Sequence, residues 1–266
     1  MKGLNKRLLG AGPQVTSFLE DYIVLSDSNT GNDMGRVFSH NIAGVDSGNT
    51  DKIDLPEDVV SAVLLEENLI YACVTETGKS ILFKTGAEPV DFGYVMHLNP
   101  NKPAFTVKEG NIAYISGPKE VKFVKGVAFA PIEHQNYSII GDIEVAGCVV
   151  DVQILSSSEL LVVGSQGEVI IYSTSGDVRS KCCINTDNGN LLIRGADLSA
   201  DSQFIGIVCY NIKAKSVDIH LVKISEDFEV SFQCSFTLNG TFANAFNAVG
   251  CINMGCNVDG HTIVLA

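Results

Sequence analysis

An all-β chain, folded as a β-propeller of about six to seven four-stranded blades with the last one incomplete, is what this sequence predicts. The first observation is a repeat. Six times a short apolar strand, a polar turn and a second apolar strand recur, the second strands being Tyr22–Ser26, Leu69–Val74, Asn111–Ser116, Glu159–Gly164, Phe204–Cys209 and Thr262–Ala266. The second is the spacing: these strands start roughly 45 residues apart, the length of one four-stranded blade. The third is that no long stretch carries apolar residues at helix spacing, whereas Val217–Leu221 alternates with period two, Val217, Ile219 and Leu221 facing one way and Asp218 and His220 the other.

The elements follow in order, inner strand to outer. Blade one reads Gln14–Leu19, Tyr22–Ser26, Arg36–Ile42 and Asp51–Leu55. Blade two reads Val59–Leu65, Leu69–Val74, Ser80–Lys84 and Phe92–Leu98. Blade three reads Ala104–Lys108, Asn111–Ser116, Val121–Lys125 and Ser138–Val145. Blade four reads Val149–Leu155, Leu160–Gly164, Val169–Ser173 and Lys181–Asn185. Blade five reads Arg194–Leu198, Phe204–Cys209, Val217–Ile224 and Ser231–Leu238. Turns are written in Glu66-Glu67-Asn68, Glu109-Gly110, Ser156-Ser157-Ser158 and Ala200-Asp201-Ser202, residue types that supply the dihedrals of tight turns. Blade six has only Ala248–Met254 and Thr262–Ala266. An unclosed propeller exposes unpaired backbone at its seam. The strands that close it come from Met1–Leu9, from residues beyond Ala266, or from another chain by strand addition. The expectation carried forward is a single propeller domain, 1–266, belonging to a longer chain and closed by its own N-terminal strand.

The totals agree with a well-buried globular chain. Of 266 residues, 45% are hydrophobic and 18% charged, below the roughly 25% charged of an average domain. The net charge of −13 repels phosphate backbones and anionic lipid, so direct nucleic-acid binding is not expected. The basic trio Lys2, Lys6 and Arg7 reads as a solvated first strand. No secretory signal and no apolar run of transmembrane length is present. The eight cysteines sit mostly inside apolar strand patterns, where a reduced thiol behaves as a small hydrophobe. A reducing, cytoplasmic or nuclear compartment is therefore expected. In that setting the triplets Asn136-Tyr137-Ser138 and Asn239-Gly240-Thr241 carry no glycan.

Particular segments resemble WD-repeat propellers. Asp151–Tyr172 has the order strand, Ser-rich turn, Leu-Leu-Val-Val-Gly-Ser, Gln166-Gly167 and Glu168–Tyr172. Asp197–Ile205 is similar to the family's "F-S-P-D-S-K-x-I" entry to a second strand, and Asn257–Ile263 to its "D-G-K-x-I" variant. The likeness covers most of the chain. The family's own marks are absent, since without Trp there is no Trp-Asp pair and no His–Ser/Thr–Trp–Asp relay. The resemblance thus implies a divergent propeller that binds other proteins of a multi-subunit complex. A second likeness is local. Asp27–Gly35, between the second and third strands of blade one, resembles the Gly- and Asn-containing loop of the endoplasmic-reticulum exchange factor for the small GTPase of the COPII coat. That family's loop is richer in Gly, and its membrane anchor is not in this chain. This resemblance implies a small-GTPase partner contacted by Asn29 and Asn32.

Chemistry-bearing candidates are few. Asp27, Asn29, Asn32 and Asp33 make the Asp27–Gly35 loop the main surface feature: a solvated loop, a partner contact, or oxygen ligands for a hard cation such as Ca²⁺ or K⁺. The spacing matches no EF-hand, so no metal is assigned. Phe242 and Phe246, in a long insertion between blades five and six, form the second candidate contact. Phe92, Tyr94 and Phe129 are expected on exposed strand ends. Cys182 and Cys183 are neighbours on a strand and point to opposite faces, while Cys251 and Cys256 lack partners at zinc spacing. His40, His97, His134, His220 and His261 lie in no nucleophile or metal motif and read as surface or hydrogen-bonded side chains. On the inner strands only Asp151, Arg194 and Asp197 stand out, the last two as a pair. The reading is a non-catalytic scaffold without a cofactor, set against an exchange factor and, further off, a hydrolase or lyase propeller with its site in the central channel.

Overall fold

The computed structural model describes residues 70–75, 77–84, 87–96, 105–184, 191–193, 195–199 and 201–237 with their side chains, and strands 14–19, 22–27, 35–41, 50–55, 59–66, 252–257 and 260–265 and residues 194 and 238 by backbone. Twenty-two strands and one 3-10 turn, Ile132–His134, make up the described secondary structure.

The strands form five four-stranded sheets and one two-stranded sheet. The first holds β1 (Gln14–Leu19), β2 (Tyr22–Asp27), β3 (Gly35–Asn41) and β4 (Thr50–Leu55). The second holds β5 (Val59–Glu66), β6 (Ile70–Thr75), β7 (Lys79–Lys84) and β8 (Val90–Tyr94). The third holds β9 (Phe105–Lys108), β10 (Asn111–Gly117), β11 (Glu120–Val124) and β12 (Tyr137–Ile140). The fourth holds β13 (Val149–Ile154), β14 (Glu159–Gly164), β15 (Glu168–Ser173) and β16 (Val178–Cys183). The fifth holds β17 (Leu191–Leu198), β18 (Phe204–Asn211), β19 (Ser216–Ile224) and β20 (Val230–Leu238). The sixth pairs β21 (Ile252–Asn257) with β22 (Gly260–Leu265). Each sheet runs in simple sequence order, the meander that short hairpin turns impose.

The chain falls into two compact units, 1–112 with 124–136, and 113–123 with 137–266. In the first, β5 packs against β1, β2 and β3. The Tyr71 and Phe83 rings stack 5.0 Å apart inside the second sheet. Buried Gln135 clamps the loop before β12, accepting from Ala128 N and donating to Ala128 O and Ala130 O. In the second unit, β13 packs on β17, β16 and β15 on β20, and β21 on β17 and β18. The core here is a continuous apolar cluster. Leu155, Leu161, Val163, Val169 and Ile171 of the fourth sheet meet Ile193, Ala196, Ile205, Ile207, Val222 and Ile224 of the fifth. Burying one such Leu or Ile contributes about 1.5–3 kcal/mol. Both faces of the central strands are covered: β14 is buried at every position, and so is β6.

Turn chemistry accounts for the punctuation. Glu109 and Gly110 both have positive φ (52° and 70°), the paired left-handed conformation of a tight hairpin, and Asn111 Nδ2 donates to the carbonyls of Lys108 and Glu109 beneath it. In the Ser156–Ser158 turn two hydroxyls converge on the Glu159 carboxylate. In the next sheet Ser199 Oγ donates to Asp201 Oδ1 at 2.6 Å and accepts from Phe204 N at 2.9 Å.

Several strand limits and exposures differ from the sequence reading. β8 starts two residues early and ends at Tyr94, because Gly93 takes φ 108° and the β7–β8 register shifts there. β12 stops at Ile140 rather than Val145: Asp142 turns left-handed (φ 51°), and Ile143 N then bonds back to Lys119 O. β16 begins at Val178, set by the Ser173–Asp177 turn, in which Ser173 N donates to Asp177 O. β17 starts at Leu191, three residues earlier, and β21 spans Ile252–Asn257. Phe92, expected on an exposed strand end, is fully buried. Asp218 and His220, expected to face away from the buried side, are themselves buried, because the fifth sheet is covered on both faces.

Replacing Leu161 with Ala is expected to destabilise the chain by about 2–5 kcal/mol in chemical denaturation, the cost of a cavity in a core of this kind. Replacing Tyr94, which is 66% exposed, with Ala is expected to change stability by less than about 0.5 kcal/mol in the same measurement.

Candidate functional site

Of the residues singled out by sequence, Asp27 ends β2 and stands opposite Arg36 on β3, so the strand pairing brings the two ends of the Asp27–Gly35 connection together. Asn29, Asn32 and Asp33 lie outside the described residues, as do Phe242 and Phe246, the Met1–Leu9 segment, Cys251 and the Arg194 side chain. Cys182 is half-buried and Cys183 exposed, on opposite faces of β16 as neighbours on a strand must be. Burial, with Cys183 beside it, pushes the Cys182 thiol up to about 11, which leaves it protonated and unreactive at neutral pH. No disulfide joins the six cysteines among the described residues, and no group of three metal-ligating side chains occurs there.

The outermost strands carry the surface that the sequence did not mark. Eight large hydrophobics are exposed among the described residues, and six of them sit on the last strand of a sheet in chain order: Tyr94 on β8, Tyr137 and Ile139 on β12, Val178 on β16, Phe232 and Phe236 on β20. Tyr94 is exposed as the sequence predicts; the other five carry no such mark, because the period-two pattern shows which residues share a face, not whether a neighbouring element covers that face. The strands differ in how their open edges are guarded. On β16, Arg179 and Lys181 follow the apolar position, Val178, and Lys181 Nζ reaches Glu144 Oε2 at 3.0 Å. Phe129, half-buried in the loop before the 3-10 turn, has Lys84 Nζ of β7 over its ring, 5.2 Å from the centroid.

The fourth and fifth sheets each carry a group of buried polar side chains, on β13 and on β19. Asp151 and Gln153 alternate on β13, with Asp151 Oδ1 accepting from Val152 N at 2.8 Å and Gln153 Nε2 within 3.4 Å. On β19, Ser216, Asp218 and His220 share one face, and Ser216 Oγ donates to Asp218 Oδ1 at 3.2 Å. These are the residue types of a nucleophilic triad in the wrong order. The carboxylate stands next to the hydroxyl, and neither ring nitrogen of His220 has a hydrogen-bond partner among the described residues. Cys209, opposite Asp218 on β18, has its thiol pushed up to about 12 by burial and then by that carboxylate. His220 is 7% exposed, and its ring centroid lies 6.2 Å from that of Phe232. The set presents no activated nucleophile.

No family model matches the chain, and no curated protein matches it in sequence. Solved structures do match. The C-terminal WD40 domain of Sif2 aligns with a TM-score of 0.63 at 10% identity, over 95% of this chain and 65% of that one. The chain therefore spans about two thirds of the Sif2 chain's length. The β-propeller domain of Cps50 (Swd1) from Myceliophteria thermophila aligns at 0.61 with 9% identity, over 96% of this chain and 80% of that one. A chain of the mitotic checkpoint complex aligns at 0.58 with 9% identity, over 92% and 70%. Together with the succession of four-stranded sheets, these matches give the fold: a divergent WD40-type β-propeller with its sixth blade represented by two strands among the described residues.

The buried imidazole gives a measurable pH dependence. Burial lowers the His220 pKa below its usual 6.5, with Asp218 opposing the shift. Above pH 6.5 the ring is neutral whether the chain is folded or not. Below it the unfolded chain takes up a proton that the folded chain resists, so stability falls as pH drops. Thermal unfolding is expected to shift down between pH 7 and 5.5, by at most about 1.4 kcal/mol per pH unit for this one proton. His220→Leu is expected to flatten that slope; an unchanged slope would assign it to other groups.

Proposed function

We propose that this chain is a non-catalytic scaffold, a propeller that holds partner proteins within a larger complex. The observation that carries the reading is the concentration of exposed apolar side chains on the outermost strands of a WD40-type fold. Scattered single hydrophobics need no explanation, but successive edge strands bearing them offer protein-binding surface. That one similar chain comes from the crystal structure of a multi-protein complex supports the same reading. The acidic charge of −13 favours basic partners by steering association. The thiols, reduced among the described residues, suit a cytoplasmic setting.

The finer alternative, nucleotide exchange on a small GTPase, rests on one feature. The Asp27–Gly35 connection leaves β2 and enters β3 at paired positions, which supports a connection between the second and third strands of one blade. In that reading Asn29 and Asn32 touch the GTPase, and nucleotide leaves without covalent chemistry.

Two measurements separate these readings. On gel filtration of native extract the scaffold is expected far above the 28.4 kDa of the chain, and Tyr137→Ser with Ile139→Ser is expected to reduce the co-eluting protein without lowering Tm. Elution as a lone chain would remove the scaffold reading. Purified protein is expected to leave nucleotide release from small GTPases unchanged. Acceleration that disappears in Asn29→Ala/Asn32→Ala would replace the scaffold with the exchange factor.

A further inference from the structure

We infer that β20, the outermost strand of the fifth sheet, is an open docking edge for an extended segment of a partner protein. The inference rests on the scaffold reading and names its mode. Edge strands present unpaired N–H and C=O groups, and proteins normally blunt them with charge, brevity, Pro or glycine. Most outer strands here follow that rule. β4 carries Asp51, Lys52 and Asp54. β8 has five residues, with Asp91 and a left-handed Gly93. β12 has four, and β16 carries Arg179 and Lys181.

β20 does not. It runs nine residues, Val-Ser-Phe-Gln-Cys-Ser-Phe-Thr-Leu, with no charge, no Pro and no Gly. At roughly 3.4 Å per residue that is about 30 Å of strand. Among the described residues its only strand partner is β19; its first residue, Val230, gives its N–H to Ser180 Oγ of β16, and beyond it Ser231, Phe232, Gln233, Ser235, Phe236 and Thr237 are exposed. The register shift at Leu221/Val222 makes Gln233 an extra residue. Phe232 therefore stands opposite Val222 and Phe236 opposite Ile219, which places the two rings on opposite faces of the sheet. Phe232 is 44% exposed and Phe236 50%. An added strand, whose side chains alternate between faces, meets one aromatic ring on each.

Charge sets what the occupant looks like. The turn leading into β20 exposes Glu226, Asp227 and Glu229; the cations near that end are Lys223 on β19 and, beside the Ser180 that Val230 N reaches, Arg179 and Lys181, of which Lys181 is paired with Glu144. Antiparallel addition, the geometry of the rest of this sheet and the more stable one per residue, lays the C-terminal end of the incoming strand beside that acidic turn. The occupant is thus an uncharged, apolar-alternating partner segment followed by Lys or Arg. Main-chain bonds supply most of its affinity, so a generic strand is a fair probe.

The test uses the full chain and a fluorescent ten-residue peptide that alternates threonine and valine and ends in two lysines. Saturable binding in the ~10 μM range, with new hydrogen-exchange protection of the amides from Ser231 to Thr237, is expected. Phe236→Lys, at an exposed site that leaves Tm unchanged, is expected to weaken binding at least tenfold, as is a proline placed mid-peptide. Phe232→Lys serves as an independent second variant. Moving the lysines to the peptide's other end is expected to weaken binding several-fold. Absent binding, protection elsewhere, or indifference to both Phe variants overturns the inference. So does a concentration-dependent dimer abolished by Phe236→Lys, which would give the edge to a second copy of this chain. If the native complex on gel filtration persists while the peptide fails, the scaffold reading stands and only the assignment of β20 falls.

Discussion

Burial on both faces of central strands such as β6 and β14 is the constraint from which the rest of the described structure follows. In the second unit, side chains of β13, β14 and β15 interlock with those of β17, β18 and β19 into one apolar cluster. A sheet solvated on one side needs apolar residues at alternate positions only. A sheet packed on both sides needs them at nearly every position, which is why β14 reads Glu-Leu-Leu-Val-Val-Gly and β6 Ile-Tyr-Ala-Cys-Val-Thr. The same demand explains the low charge content and the reduced cysteines serving as small hydrophobes.

Polar groups inside such a stack must be satisfied or kept neutral. Asp151 accepts from the backbone, Gln135 spends both ends of its amide on one loop, and Asn111 ties a hairpin turn to Gly126 N. Ser180 Oγ accepts from Val230 N, linking the outer strands of the fourth and fifth sheets through an uncharged group. His220 takes the second course. Its ring is enclosed by apolar neighbours and by Asp218, and it stays neutral because burial disfavours the charged form.

The outermost strands obey a different rule. Each closes its sheet with backbone groups that nothing inside the sheet can satisfy, so side-chain choice there decides between solvent and partner. Arg179 and Lys181 keep β16 wet, whereas the uncharged, aromatic β20 keeps its edge adhesive. In a fold whose interior is consumed by packing, the strand edges and connecting loops are what remain for recognition, and this links the apolar core to a scaffold's task.

How much of this was legible in the sequence differs by level. The repeat of apolar segments and turns sufficed for the strands, their order and the fold class, because two-sided burial writes continuous apolar runs and tight turns write Gly, Asn, Asp and Ser. Glu109-Gly110 and the serine turn before Glu159 fall where they were read. Strand limits were less legible, since Gly93 and Asp142 end or bend strands through a left-handed φ that composition alone does not reveal. Exposure was decided only in three dimensions. Phe92 and Phe236 look alike in the chain, yet one is covered by its neighbours and the other is half open. Asp218 and His220 alternate as solvent-facing residues would, and are buried because another sheet packs on that face. Local pattern fixes which side chains share a face; only tertiary packing determines what, if anything, lies against it.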